Sequence, residues 1–133
     1  MKATEFIKTI YLGDCFSKKV FYNERQKTFE IQMNNISRIR DASGFWNFYT
    51  DEDIENGIIV LSNVKRIIDD ENGLVPMEDI SLSAEFTGEG DVEFNIKGCF
   101  VDEKILPHDV TIKVIAETVY LVDPTKPNEK ITE

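Results

Sequence analysis

Short runs in which apolar and polar residues alternate recur along this chain, and no stretch sustains three or four turns of helical apolar period. A period of two places every second side chain on one face, the pattern of a half-buried strand. Phe29-Glu30-Ile31-Gln32-Met33, Ile80-Ser81-Leu82-Ser83-Ala84-Glu85-Phe86 and Val92-Glu93-Phe94-Asn95-Ile96 all carry it. Thr87-Gly88-Glu89-Gly90-Asp91 joins the last two and reads as a hairpin turn. A second hairpin is predicted around Asn23-Glu24-Arg25-Gln26-Lys27, between Lys19–Tyr22 and Thr28–Met33. Residues 111–114 and 119–122 are β-branched and aromatic, as strands prefer.

Further strands are expected at Phe6–Leu12, Phe45–Tyr49 and Ile58–Leu61. The stretch 63–69 reads as strand too, because its β-branched content and the Glu71-Asn72-Gly73 turn outweigh the helical spacing of Val64, Ile67 and Ile68. One short helix is expected at Asp51–Glu55, with Thr50 as its cap and Gly57 at its end. The fold predicted is all-β: a single antiparallel β-sandwich or partly open barrel of about eight to ten short strands with at most one short helix. A chain of 133 residues fits one domain. That domain is placed at 1–123, because Asp123-Pro124-Thr125-Lys126-Pro127 breaks the pattern and predicts a loose tail over 124–133.

No apolar run approaches the ~20 residues of a membrane span. The first residues lack the apolar stretch of a secretory signal, so a cytoplasmic protein is expected. Net charge is −10 and unevenly spread. Residues 1–50 hold eight Lys/Arg against five Asp/Glu, and residues 51–133 hold seven against twenty. Such a balance repels nucleic acid and anionic membranes, which recruit basic clusters. It serves solubility, or it draws in a basic partner protein.

The usual chemistry-bearing patterns are missing. Two cysteines, Cys15 and Cys99, exclude multi-thiolate zinc layouts, and their apolar neighbours predict reduced core thiols. The single histidine, His108, excludes His-rich metal sites, and on a strand it points away from its neighbour Asp109. Gly88 and Gly90 give G-x-G, but Glu93 stands where a third glycine belongs. An EF-hand loop starting at Asp51 would need glycine at Asn56 and glutamate at Ser62. No cofactor, metal or catalytic residue is therefore assigned.

The densest local signal is Phe45-Trp46-Asn47-Phe48-Tyr49 beside Asp51-Glu52-Asp53-Ile54-Glu55. Alternation puts aromatic rings on both faces of that segment, so it is either buried on both or shows one face to a partner. In the second case Trp46, Tyr49, Asp51, Asp53 and Glu55 form the partner-binding set, aromatic anchors beside acidic groups. Arg38 and Arg40 lie two apart on an extended segment and point the same way, suited to structural ion pairs with the acidic cluster.

The combination of Tyr11-Leu12-Gly13-Asp14, Ser37-Arg38-Ile39-Arg40, Ser43-Gly44-Phe45-Trp46-Asn47-Phe48-Tyr49 and Asp51-Glu52-Asp53-Ile54 resembles a small bacterial domain family of unknown function, over roughly residues 11–68. The resemblance implies a bacterial, mostly β domain and carries over no activity. Small acidic domains of this sort are similar to immunity proteins that neutralise toxins, which is analogy. The function read from the sequence is a non-catalytic protein-interaction module, of the immunity-inhibitor type, for a basic partner. The alternative is a β-sandwich or barrel that binds a small ligand in an aromatic-lined cleft. A carboxylate-dependent hydrolase stands third.

Overall fold

A computed structural model describes residues 1–39, 53–70 and 73–133. Of these, 56% lie in strands and 4% in one helix. In chain order the elements are α1 (Ala3–Ile7), β1 (Ile10–Tyr11), β2 (Ser17–Asn23), β3 (Thr28–Met33), β4 (Asn35–Arg38) and β5 (Ile54–Glu55). They continue as β6 (Ile58–Ser62), β7 (Arg66–Asp69), β8 (Glu78–Phe86), β9 (Val92–Val101), β10 (Pro107–Ala116), β11 (Thr118–Val122) and β12 (Lys130–Ile131).

The hairpins form where alternation meets a turn. In β2–β3, Val20 pairs with Ile31 and Tyr22 with Phe29, and the Asn23 side chain accepts the Gln26 amide at 3.2 Å. In β8–β9, Thr87 N–H donates to Asp91 O at 3.1 Å, and Gly88 and Gly90 both take φ +89°. Side-chain-bearing residues adopt that left-handed backbone only at a cost, so two glycines are what this turn requires.

Among the described residues every pairing is antiparallel, in three sheets: β12-β11-β6-β3-β2, β7-β10-β9-β8 and a small β1-β4-β5. The sheets are joined by ladders that bend. Strand β6 continues into β7 and β10 into β11, and at the bend Glu117 N–H donates to Ser62 O at 3.1 Å and Lys65 N–H to Ile115 O at 2.7 Å. Asn63 sits there at φ +56°, and Glu117 accepts from its side chain at 2.9 Å and pairs with Lys65 at 3.2 Å. A bend of this kind carries one strand pair from sheet to sheet and makes the corner of a sandwich. A second bend, at Asn34 and Asn56, turns the β3–β6 ladder into β4–β5.

Between the two larger sheets, Phe94, Ile96, Ile112 and Val114 face Phe29, Ile31, Ile59 and Leu61 in one continuous core. Each such side chain removed from water contributes about 1.5–3 kcal/mol. The result is an all-β sandwich, and among the described residues its sheets do not close into a barrel.

Three expectations need correction. Residues 6–12 do not form one strand: α1 ends at Ile7 and β1 begins at Ile10. Phe6 and Ile7 are both buried, which adjacent residues on a strand cannot achieve on one face. With Ala3 they form an i, i+3, i+4 helical stripe that lies against β8 and β11. The tail is not loose throughout. Asp123 Oδ1 accepts the Thr125 amide at 2.9 Å and hydroxyl at 2.8 Å, turning the chain so that β12 pairs with β11. The helix expected at Asp51–Glu55 is replaced at its end, where Ile54 and Glu55 pair with Ile36 and Asn35, because Ile54 is needed in the core. Its first residues, Thr50, and the strand expected at Phe45–Tyr49 lie outside the described residues. Among the described residues the strands number twelve, because the bends divide long strands and three are two-residue pieces.

Candidate functional site

Of the residues singled out from the sequence, Arg40, Trp46, Tyr49 and Asp51 lie outside the described residues. Asp53 and Glu55 are exposed, Glu55 on β5. Arg38 is 2% exposed. Its Nη2 donates to Thr9 Oγ1 at 3.0 Å, and its guanidinium lies 5.2 Å from the Phe6 ring centroid. Thr9 in turn donates to Phe6 O at 2.7 Å, so Arg38 fastens β4 to the end of α1. The ion pairs among the described residues are Lys65–Glu117, His108–Asp102 and Lys113–Glu93, none of which involves Asp53 or Glu55.

The most developed surface feature lies where β2 and β8 begin and β9 ends. Ser17, buried at the start of β2, donates its amide to Met77 O at 2.9 Å and accepts the Met77 amide at Oγ at 2.7 Å. This pair ties the edges of the two large sheets together. Met77 can lie across β9 because residue 98 is glycine: a Cβ there would stand 2.9 Å from Met77 Cβ. Beside this crossing runs a groove of about 470 Å³ walled by Phe16, Met77, Cys99, Phe100 and Val101, with Lys18 and Glu78 at its rim.

Strands β9 and β10 project beyond it. The last β8 pairing is Glu78 with Cys99, whereas Phe100–His108 and Val101–Pro107 continue the β9–β10 ladder. The turn 102–106 is organised by Asp102. Its Oδ1 accepts the Lys104 and Leu106 amides at 2.8 and 3.0 Å, and its Oδ2 lies 2.7 Å from His108 Nε2. The His108 contact, followed by the Leu106 and Lys104 amides, holds the Asp102 carboxyl below the usual carboxylate value. The His108 ring stacks on Phe100 with centroids 4.9 Å apart, and Phe100 packs against the core. Around this scaffold Ile105 is 82% exposed, Val101 55%, Leu106 54% and Phe16 45%.

Both cysteines are free but only half-buried, not the core thiols expected. Cys99, near the end of β9, lines the groove, and Cys15, just before β2, packs against the core next to Phe16. Burial and then Asp79, which accepts the Cys99 thiol at 3.6 Å, push that thiol up. Burial followed by Asp14 and Asp53 does the same to Cys15. Asp53 is thus within electrostatic reach of the residue preceding Phe16. The β4–β5 hairpin is stitched to the same segment. Asn34 Oδ1 accepts the Phe16 amide at 2.9 Å, and the Lys18 ammonium donates to Asn56 Oδ1.

Chemically, the site offers apolar area and carboxylates. No group of three or more His, Cys, Asp or Glu among the described residues is placed to hold a metal. The Asp102–His108 pair braces the turn, since the same Asp102 carboxylate accepts the Lys104 and Leu106 amides. Sequence reading passed over this hairpin tip. The available signal was Asp102 two residues ahead of Lys104, an Asx-turn spacing, followed by Ile105-Leu106-Pro107 where turns carry glycine or polar residues.

Among the described residues no helix is long and apolar enough to cross a membrane. No curated protein and no solved structure matches the chain. A family match does exist and spans the whole sequence: over residues 1–133 the chain fits the model of a family of unknown function (DUF6258), and it belongs to that family.

Proposed function

We propose that this protein is a non-catalytic interaction module that docks a basic partner protein at the groove and tip of the β9–β10 hairpin. The observation that carries the reading is an apolar groove lined by the exposed Phe16 and Val101, with the exposed Ile105 and Leu106 on the turn that follows Val101. Contiguous exposed apolar area on a soluble domain marks interaction sites. The surrounding charge selects the partner: Asp14, Asp53, Glu78, Asp79, Asp102 and Glu103 stand against Lys18 and Lys104. An immunity-type inhibitor in a bacterial cytoplasm is the role this reading favours, by way of the family resemblance and the acidic balance of the chain. Screening lengths of about 8 Å at physiological salt and 3 Å at 1 M make the association rate the diagnostic quantity. With the partner isolated from the source organism, association slows steeply as salt rises and dissociation changes little. A partner with an acidic contact face, or an association rate indifferent to salt, would overturn the reading.

A small apolar ligand is a second reading, favoured by the groove volume, which falls within the ~300–1,000 Å³ of ligand pockets. Saturable quenching or enhancement of an apolar dye, lost in Phe100→Ala, distinguishes it.

A further inference from the structure

We infer that the tip of the β9–β10 hairpin is a preformed anchor, which inserts Ile105 and Leu106 into an apolar cleft with a basic rim on the partner protein. This rests on the docking reading of the same hairpin and adds the direction of insertion: here the chain supplies the projection and the partner the cavity.

The first ground is a residue at odds with its own backbone. Ile105 N–H donates to Asp102 O at 2.9 Å, and Ile105 then takes φ +61°. Hairpin loops give a left-handed position after such a turn to glycine or asparagine, since a Cβ crowds the following carbonyl and a β-branched side chain crowds it further. Folding recovers little in exchange, because 82% of Ile105 faces solvent. A strained conformation that buries almost nothing is the kind of local conflict that accompanies binding surfaces.

The second ground is rigidity. Both Asp102 oxygens are engaged, one by the Lys104 and Leu106 amides and the other by His108. His108 rests on Phe100, and Phe100 rests on the core. Asp102 is therefore a positioning residue, and the apolar pair is carried on a continuous chain of contacts. An anchor already held in its docked shape loses less conformational freedom on binding.

The third ground is charge. Asp102, Glu103 and Lys104 precede the apolar pair with a net charge of −1, and residues 51–133 around them hold twenty acidic residues against seven basic. A cleft that accepts the tip brings Lys or Arg to its rim. A second copy of this chain, with net charge −10, would bring the wrong sign.

Two measurements test the inference. Ile105→Asn, which accepts the left-handed backbone, raises the melting temperature by about 2–5 °C. A lower melting temperature overturns the inference, because Ile105 would then be packing for the sake of the fold. The second uses the full chain with a benzoylphenylalanine crosslinker at Leu106 or, separately, at Phe16, in lysate of the source organism. Crosslinks from position 106 that map to an apolar cleft bordered by Lys or Arg support insertion. Crosslinks to a second copy, or to a flat or acidic surface, overturn it. Capture from position 16 without capture from 106 sinks the anchor and leaves the docking reading standing. Capture from neither sinks both.

Discussion

The two turns that flank β9 have the same length and opposite construction. Residues 87–91 join β8 to β9, and residues 102–106 join β9 to β10. The first obtains its left-handed backbone from Gly88 and Gly90 and shows solvent a polar surface. The second obtains it from Ile105, contains no glycine, and shows solvent Ile105 and Leu106. Both close a long antiparallel ladder equally well, so folding does not call for the difference. One turn follows the physical preferences of its position, and the other departs from them and is braced by Asp102 and His108 instead.

The largest effect should come from reversing the chemistry at the second tip. Leu106→Asp combined with Ile105→Asn should lower affinity for the isolated basic partner by about 100-fold, the scale of a central anchor residue. Glu89→Ala in the first turn should leave it unchanged. Equal losses from both turns, read by surface plasmon resonance, would erase the functional half of the comparison.

Next in size is the stability contrast. Gly88→Ala or Gly90→Ala places a Cβ on backbone at φ +89° and should cost about 1–2 kcal/mol in denaturant unfolding. Tolerance of alanine at both positions would show that the glycines are not required, and the contrast with Ile105 would lose its reference.

The same contrast explains what was legible in the sequence. Strands β3, β8, β9, β10 and β11 stand out because each buries one face against the opposite sheet, and burial on one face writes a period of two, whereas β6 is buried on both faces and reads as an unbroken apolar run. Where a single element serves two sheets the pattern fails. Only Lys8 and Thr9 separate the stripe of Ala3, Phe6 and Ile7 from Ile10 of β1, so the segment reads as a strand. Strand β12 is two residues long and leaves no period to find. The hairpin tip was missed for a different reason: Ile105-Leu106 simply extends the apolar look of the strands beside it. Its exposure follows from how far β9 and β10 overrun β8, a tertiary fact.

Acid should also separate the turns. The Asp102 carboxyl lies below its usual value in the folded protein because of His108 and the Leu106 and Lys104 amides. A depressed folded-state value contributes stability that is present above the unfolded value of about 3.9 and is lost as pH falls through the folded one. Below about pH 4, amide exchange at Lys104 and Leu106 should therefore accelerate relative to neighbours in β9 and β10. The first turn, closed by the Thr87 amide on the Asp91 carbonyl, has no such carboxylate in its backbone ladder and should hold. Asp102→Asn should bring the same loosening to neutral pH. Unaltered exchange at 104 and 106 in that variant would mean that the turn needs no brace.

The smallest expected effect concerns the acidic residues on the Phe16 side. Asp53 is exposed and in no ion pair among the described residues, so Asp53→Asn should change stability by less than about 0.5 kcal/mol. It should nonetheless register at Cys15. Burial, Asp14 and Asp53 together raise that thiol, so removing one negative charge increases the thiolate fraction at neutral pH, and the thiolate is what reacts. Labelling of Cys15 should quicken modestly, by less than about threefold, while Cys99, governed by its own burial and Asp79, should keep its rate. Asp53→Asn together with Glu55→Gln should slow association with a basic partner without shifting the melt. A lowered melting temperature with unchanged association would assign these carboxylates to the scaffold, and the functional face would then contract to the groove and the Ile105–Leu106 tip.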